Sequence, residues 1–407
     1  MASGLCVPHK QAAHMAAPTE GQNIKNTLAN GEPSTHGAKR TWAVLAHCGR
    51  TLVACRMIQA GQSSRKKGPK MRICAALTAL VVATVSAGAA PVPDAFYMHP
   101  GKLVAIDGSR RLNLYCMGHG SPTVLFDSGQ GDSALVWRLV QGEVAKLTSA
   151  CSYDRAGFGF SDPRAGESDA NAIVADLHRL LGAAKIKTPI LYVGHSIAGL
   201  YGVLLEATHT DDLAGAVLVE PSFANQWDAL SSAGIAAGAP QAAADALLAS
   251  LHAQVPHMKQ CAVMPAPLPD DCTDNDSQLP PALAAFKKVQ DSRPSYLLTN
   301  ASEFDSFLST KTDKSPDQKE LESVTANFGD KPLIVLTRGT EVGNPGFTAE
   351  QSVVINRAWK AGHDKLAALS TRGSNTVVPN STHYIQYDQP QAVIDAVKRA
   401  VTEIRGR

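Results

Sequence analysis

Six short apolar runs, at residues 123–126, 150–153, 189–193, 216–219, 332–336 and 376–378, recur along the chain with helical patterns between them. No other feature constrains the fold as strongly. A run that is apolar at every position has no face to give to water, so each such strand must be covered on both sides. Helical spacing at 173–181, 200–207 and 390–404 supplies the covers. Strands and helices alternating in this way predict an α/β architecture, a mostly parallel twisted sheet with helices on both faces. Ahead of these runs, residues 103–106 and 111–116 flank Asp107-Gly108, a hairpin turn signal.

The alternation stops between Glu220 and Pro332. Ala-rich helical stretches, such as 242–251, and polar loops fill this interval. Loops beyond about 15 residues without regular structure are uncommon. Residues 221–331 are therefore predicted to form a helical cap inserted between two strands of a core made from 97–220 and 332–405. Few aromatics in an Ala-rich cap point to a pocket of small or medium size.

One strand-to-helix junction carries chemistry. Val193-Gly194-His195-Ser196-Ile197-Ala198-Gly199 follows an apolar run and opens a helical pattern. A serine on such a tight turn needs small neighbours, and the helix behind it aims backbone N–H groups at a reacting carbonyl. The usual pattern is G-x-S-x-G; Ala198 stands at its last position and is small enough to serve. Ser196 is the predicted nucleophile.

With this junction, the chain resembles the α/β-hydrolase superfamily. Within it, the chain is similar to cap-bearing bacterial serine hydrolases of the esterase, haloperoxidase and proline-iminopeptidase kind, whose fourth strand ends in Y-D-R-x-G-x-G-x-S-D. Here that motif reads Tyr153-Asp154-Arg155-Ala156-Gly157-Phe158-Gly159-Phe160-Ser161-Asp162. The resemblance spans residues 97–405 and implies an α/β-hydrolase fold in which this loop shapes the rim and base of the site. The family's oxyanion segment, usually His-Gly-x, aligns with Asp127-Ser128-Gly129-Gln130-Gly131. It implies the backbone N–H groups of Gln130 and Ile197 as oxyanion donors. Family members carry the catalytic histidine in a loop before the closing helix, where Pro379-Asn380-Ser381-Thr382-His383-Tyr384-Ile385 places His383. His195, beside the nucleophile, is expected to point away from the reacting centre.

The triad acid has two candidates. Most members place it after the seventh strand, but Thr337-Arg338-Gly339-Thr340-Glu341 lacks the usual G-x-x-D. Others place it at the end of the sixth strand, some with Glu, and the run at 217–219 ends in Glu220. Glu220 is preferred and Glu341 is the alternative. Either keeps the order Ser, acid, His.

These residues predict an ester hydrolase acting on a small-molecule ester or amide through an acyl-enzyme, with no cofactor and no metal. Epoxide hydrolases and haloalkane dehalogenases carry Asp at the elbow, and Ser196 argues against both. An aminopeptidase of the proline-iminopeptidase type is the enzymatic alternative. Asp270, Asp271, Asp274 and Asp276 could serve its amino-terminal subsite, although a solvated acidic loop is the preferred reading of them. A non-catalytic binding module is the alternative from another class.

Charge divides the chain unevenly. It holds 38 Lys/Arg and 36 Asp/Glu, of which residues 1–90 take 11 and 2, leaving the remainder at −7. That remainder lacks the positive patch nucleic-acid binding requires. Residues 71–89 read as a secretory signal: basic Met71-Arg72, an apolar run to Val85, then Ala87-Gly88-Ala89. A signal belongs at a start, so residues 1–70 read as an over-long or disordered extension. The apolar run is too short to span a bilayer well. The expectation is a secreted or periplasmic protein with no stable membrane span. Cys116, Cys151, Cys261 and Cys272 follow the signal, an even number that allows two disulfides in three connectivities.

Overall fold

The computed structural model describes residues 92–406 apart from 274, 275 and 277. The predicted extension and signal, 1–70 and 71–89, lie outside the described residues. Eight strands form one sheet: β1 Lys102–Asp107, β2 Arg110–Met117, β3 Val124–Asp127, β4 Ala150–Tyr153, β5 Ile190–His195, β6 Leu213–Val219, β7 Leu333–Arg338 and β8 Gly373–Val378. Their order is β1-β2-β4-β3-β5-β6-β7-β8. The pairs β1·β2 and β2·β4 are antiparallel, and the other neighbours run parallel.

Side-chain alternation explains why the central strands look uniformly apolar. On β5, Ile190 and Tyr192 enter one core while Leu191 and Val193 enter the other. On β6, Ala216 and Leu218 oppose Val217 and Val219 in the same way. The helices Ala170–Ala184, Ala198–Thr208 and Ala349–Ala367 cover one face. Helix Pro390–Arg405 covers the other with Val393, Val397 and Val401.

Between β6 and β7 the described residues form helices and no strand, the longest being Gln241–His252 and Pro294–Phe307. The four cysteines form two disulfides, Cys116–Cys151 between β2 and β4 and Cys261–Cys272 between β6 and β7. None of the helices is long and apolar enough to cross a membrane among the described residues.

The Tyr153–Asp162 loop does more than shape a rim. Arg155 is buried and spends its guanidinium on three elements at once. It donates to Asp127 at the end of β3 (2.8 Å), to the carbonyls of Ser128 (2.5 Å) and Gly129 (2.7 Å), and to Glu303 on helix Pro294–Phe307 (2.6 and 3.0 Å). The hydroxyls of Tyr153 and Tyr192 complete Asp127 at 2.9 and 2.8 Å. Gly157, at φ +83°, lets helix Pro294–Phe307 approach closely: a Cβ there would lie 2.1 Å from Thr299 Oγ1. Removing one member of a buried ion network leaves the others charged and unpaired. Arg155→Met is therefore expected to lower stability by about 3–5 kcal/mol, measured by urea denaturation. Arg155→Lys should recover only part of the loss, because an ammonium cannot fork between two carboxylates and two carbonyls.

Candidate active site

Ser196 follows β5 directly, with φ at +55°. That left-handed conformation is costly for a residue with a Cβ and persists only where surrounding contacts impose it. Here the Ser196 N–H donates to Val219 O (3.1 Å), and its carbonyl accepts from Gly199 (2.9 Å) and Ser222 (2.8 Å). Gly194 must be small: a Cβ there would lie 2.7 Å from Tyr192 Cε1 and 2.8 Å from Ala198 O.

Ser196 opens onto a cleft that also holds Gly129, Gln130, Ile197 and His383. Ser128, in the place of the usual histidine, turns its hydroxyl to Ser133 O (2.9 Å). Arg155 pins the Ser128 and Gly129 carbonyls, which orients the next peptide, that of Gln130. Among the described residues no protein acceptor takes the backbone N–H of Gln130 or of Ile197.

His383 stands in the loop after β8. That loop is held by Ser381, whose hydroxyl donates to Val378 O (2.7 Å), and by Thr382, whose N–H donates to Asp388 (2.6 Å). Its Nδ1 faces Glu220 Oε1 at 3.9 Å, an ion-pair separation longer than a formed hydrogen bond. Glu220 is fully buried at the end of β6, with φ at +46°. Its carboxylate accepts the backbone N–H of Arg338 (2.7 Å) and the indole N–H of Trp359 (2.8 Å), and it pairs closely with the Arg338 guanidinium. Burial alone would raise the Glu220 pKa. The Arg338 cation and the His383 contact outweigh it and hold the carboxyl well below the usual range. Glu341 is exposed, and no contact brings it to His383.

Burial also pushes the His383 pKa below the ordinary 6.5, only partly offset by Glu220. A general base must be neutral before it can accept a proton. With His383 as the base the sequence predicts, the acidic limb of kcat/KM is therefore expected to have its midpoint below pH 6.5, which a pH–rate profile measures.

His195 has a role that its sequence position did not announce. Its buried ring packs 4.7 Å from the His383 ring and brings Nε2 within 3.0 Å of the His383 carbonyl. Burial drives its pKa well below the ordinary value, and the neighbouring His383 adds to this. It is thus a neutral prop under the His383 loop.

Sequence reading also missed helix Ala349–Ala367, which brings Trp359 to Glu220 and places His363 nearby. The signal was present in Thr348 and Gln351, which form a capping box, and in the helical spacing of Ile355, Trp359 and His363. The cleft is more aromatic than the Ala-rich insert implied. Phe304 and Phe307 enter from helix Pro294–Phe307, with Trp359 and Tyr384 beyond them.

The fold and this strand-to-helix serine define an α/β hydrolase, and comparison with known proteins agrees. Residues 124–396 match the family model described as "Alpha/beta hydrolase family", and the chain belongs to that family. It is 23% identical to the uncharacterized protein YqjL of Bacillus subtilis over 292 residues, 72% of this chain and 88% of that one. Among solved structures it is similar to a candidate acyltransferase from Salmonella enterica (16% identity, TM-score 0.52, 74% of this chain and 95% of the other). It is also similar to epoxide hydrolase CorEH (17% identity, TM-score 0.49, 74% and 98%). At 16% identity the likeness to the Salmonella structure speaks to the fold alone.

Proposed function

We propose that this hydrolase is an exported carboxylic ester hydrolase that works through an acyl-enzyme on Ser196. The observation that carries the reading is one cleft holding a serine at φ +55° and a buried histidine, with a buried carboxylate behind the histidine. In this reading Ser196 Oγ attacks the ester carbonyl as His383 takes its proton. The Gln130 and Ile197 N–H groups receive the oxyanion, and His383 returns the proton to the departing alcohol. Water activated by His383 then attacks the acyl-enzyme, and Ser196 leaves with its proton restored. Glu220 holds the imidazole orientation and stabilises the imidazolium. We take residues 221–331 as a cap that places Phe304 and Phe307 against the acyl or alcohol group. The predicted signal at 71–89 and the two disulfides support export.

Acidic groups do not favour the aminopeptidase reading. Asp270 pairs with Lys288 and Asp271 lies beside His257, while Asp274 is outside the described residues. None of the described members of that acidic loop lines the cleft. The test is labelling with a fluorophosphonate, followed by peptide mapping, alongside turnover of p-nitrophenyl esters. Labelling at Ser196 with ester turnover is expected. Labelling with amide but no ester turnover would move the assignment to a peptidase. A folded protein that neither labels nor turns over would be a binding module.

A further inference from the structure

At the foot of the sheet, three side chains gather that the hydrolytic machinery does not use. His178 lies on helix Ala170–Ala184, and His209 follows helix Ala198–Thr208. Asp212 closes the turn that leads into β6. Ser196 stands at the carboxyl ends of the strands and Asp212 at their amino ends. The seven residues of β6 set the two sites roughly 20 Å apart along the sheet.

We infer that His178, His209 and Asp212 form a binding site for a divalent transition-metal cation of the zinc type. The donors are already together. His178 Nδ1 lies 2.6 Å from Asp212 Oδ2, and the His178 and His209 rings stack at 4.0 Å with planes 9° apart. One ligand atom from each residue lies within 4.8 Å of the other two. A tetrahedral zinc ion with bonds of about 2.0–2.2 Å needs donors roughly 3.3 Å apart. Two parallel stacked rings cannot both hold one ion in their planes, so binding requires the half-exposed His178 ring to turn out of the stack until the three donors converge.

The backbone fixes two of the three. The His209 N–H donates to Leu205 O (2.8 Å), and the Asp212 N–H donates to His209 O (2.9 Å). His178 is carried between the buried Leu177 and Leu180–Leu181 of its own helix. Lys331, the cation on this turn, does not oppose a metal. Glu206 neutralises it at 2.8 and 2.9 Å, and its remaining contacts go to Thr210. Two imidazoles and one carboxylate suit zinc, nickel or copper, whereas calcium and magnesium prefer all-oxygen shells. A second cluster, His257 with Cys261 and Cys272, offers no such set, because its sulfurs are bonded to each other.

A metal here would tie helix Ala170–Ala184 to the turn entering β6. Its effect is on stability, and hydrolysis at the other end of the sheet stays unchanged. The test is calorimetric titration of tag-free, EDTA-treated full-length protein with zinc chloride, with thermal unfolding in parallel. One equivalent is expected to bind in the micromolar range, to survive excess magnesium and to raise the unfolding temperature. Loss of outer-shell partners alone typically costs about 10–100-fold in metal affinity. His178→Ala and His209→Ala should therefore each weaken binding by about a hundredfold, and Asp212→Asn should weaken it too. All three variants should unfold in EDTA near the wild-type temperature; His209→Gln replaces any that does not. Absence of saturable binding up to low-millimolar zinc would overturn the assignment. So would unchanged affinity in the His178→Ala/His209→Ala protein, and zinc that inhibits turnover in that protein would locate the ion at His195 and His383 instead.

Discussion

Ser196→Ala and His383→Ala are each expected to lower kcat for a p-nitrophenyl ester by about a millionfold. The double variant should be scarcely worse than either single one. Nucleophile and base act as a unit: without the base the hydroxyl is not activated, and without the hydroxyl the base has no proton to take. Neither substitution disturbs the main supports of the turn. Ser196 is held through its backbone to Val219, Gly199 and Ser222, and His383 meets His195 through its carbonyl. Unfolding temperatures near wild type should therefore accompany the loss. Independent effects that multiply in the double variant, or a residual rate within about a hundredfold of wild type, would remove Ser196 and His383 from the chemistry.

Glu220→Gln should cost about ten-thousandfold in kcat, the scale of losing the carboxylate that orients a triad histidine. Glu341→Gln, on an exposed loop, should leave kcat within about twofold. Because Glu220 also neutralises Arg338, part of the first loss could reflect a disturbed core. The pH profile separates the two causes. Glu220 raises the His383 pKa against the pull of burial. Its removal must shift the acidic limb to still lower pH, while mere loosening of the core would admit water and move the limb toward the ordinary imidazole value. A larger loss at Glu341 would transfer the acid role to the loop after β7.

Much of this molecule was legible before its structure. Five of the six apolar runs became β3 to β7, whose burial on both faces cannot hide their composition, whereas the sixth became the edge strand β8, which is largely uncovered. The Gly194–Gly199 junction was legible for a similar reason, since a turn that tight tolerates few residues. What stayed hidden depends on contacts between segments far apart in the chain. Arg338 reaches Glu220 across 118 positions, and Arg155 reaches Glu303 across 148. No local pattern announces either. Helix Ala349–Ala367 was overlooked because Lys, Arg and Asp dilute its apolar stripe. The part His195 plays under the His383 loop was hidden for the same reason, since its partner lies 188 positions away.

The bond between Arg155 and Glu303 also bears on how such an enzyme can be re-engineered. Ser196 and the end of β6 lie on one uninterrupted stretch of chain that is complete before the helices of 221–331 begin. That arrangement invites exchange of the whole insert to obtain a new specificity. Yet one carboxylate from the insert neutralises the arginine that grips the Ser128 and Gly129 carbonyls. A transplanted insert without an acid at that point would leave a buried cation competing for Asp127 and dragging on the Ser128 and Gly129 carbonyls. Modularity here has one electrostatic condition: whatever replaces the insert must bring a carboxylate to the place of Glu303.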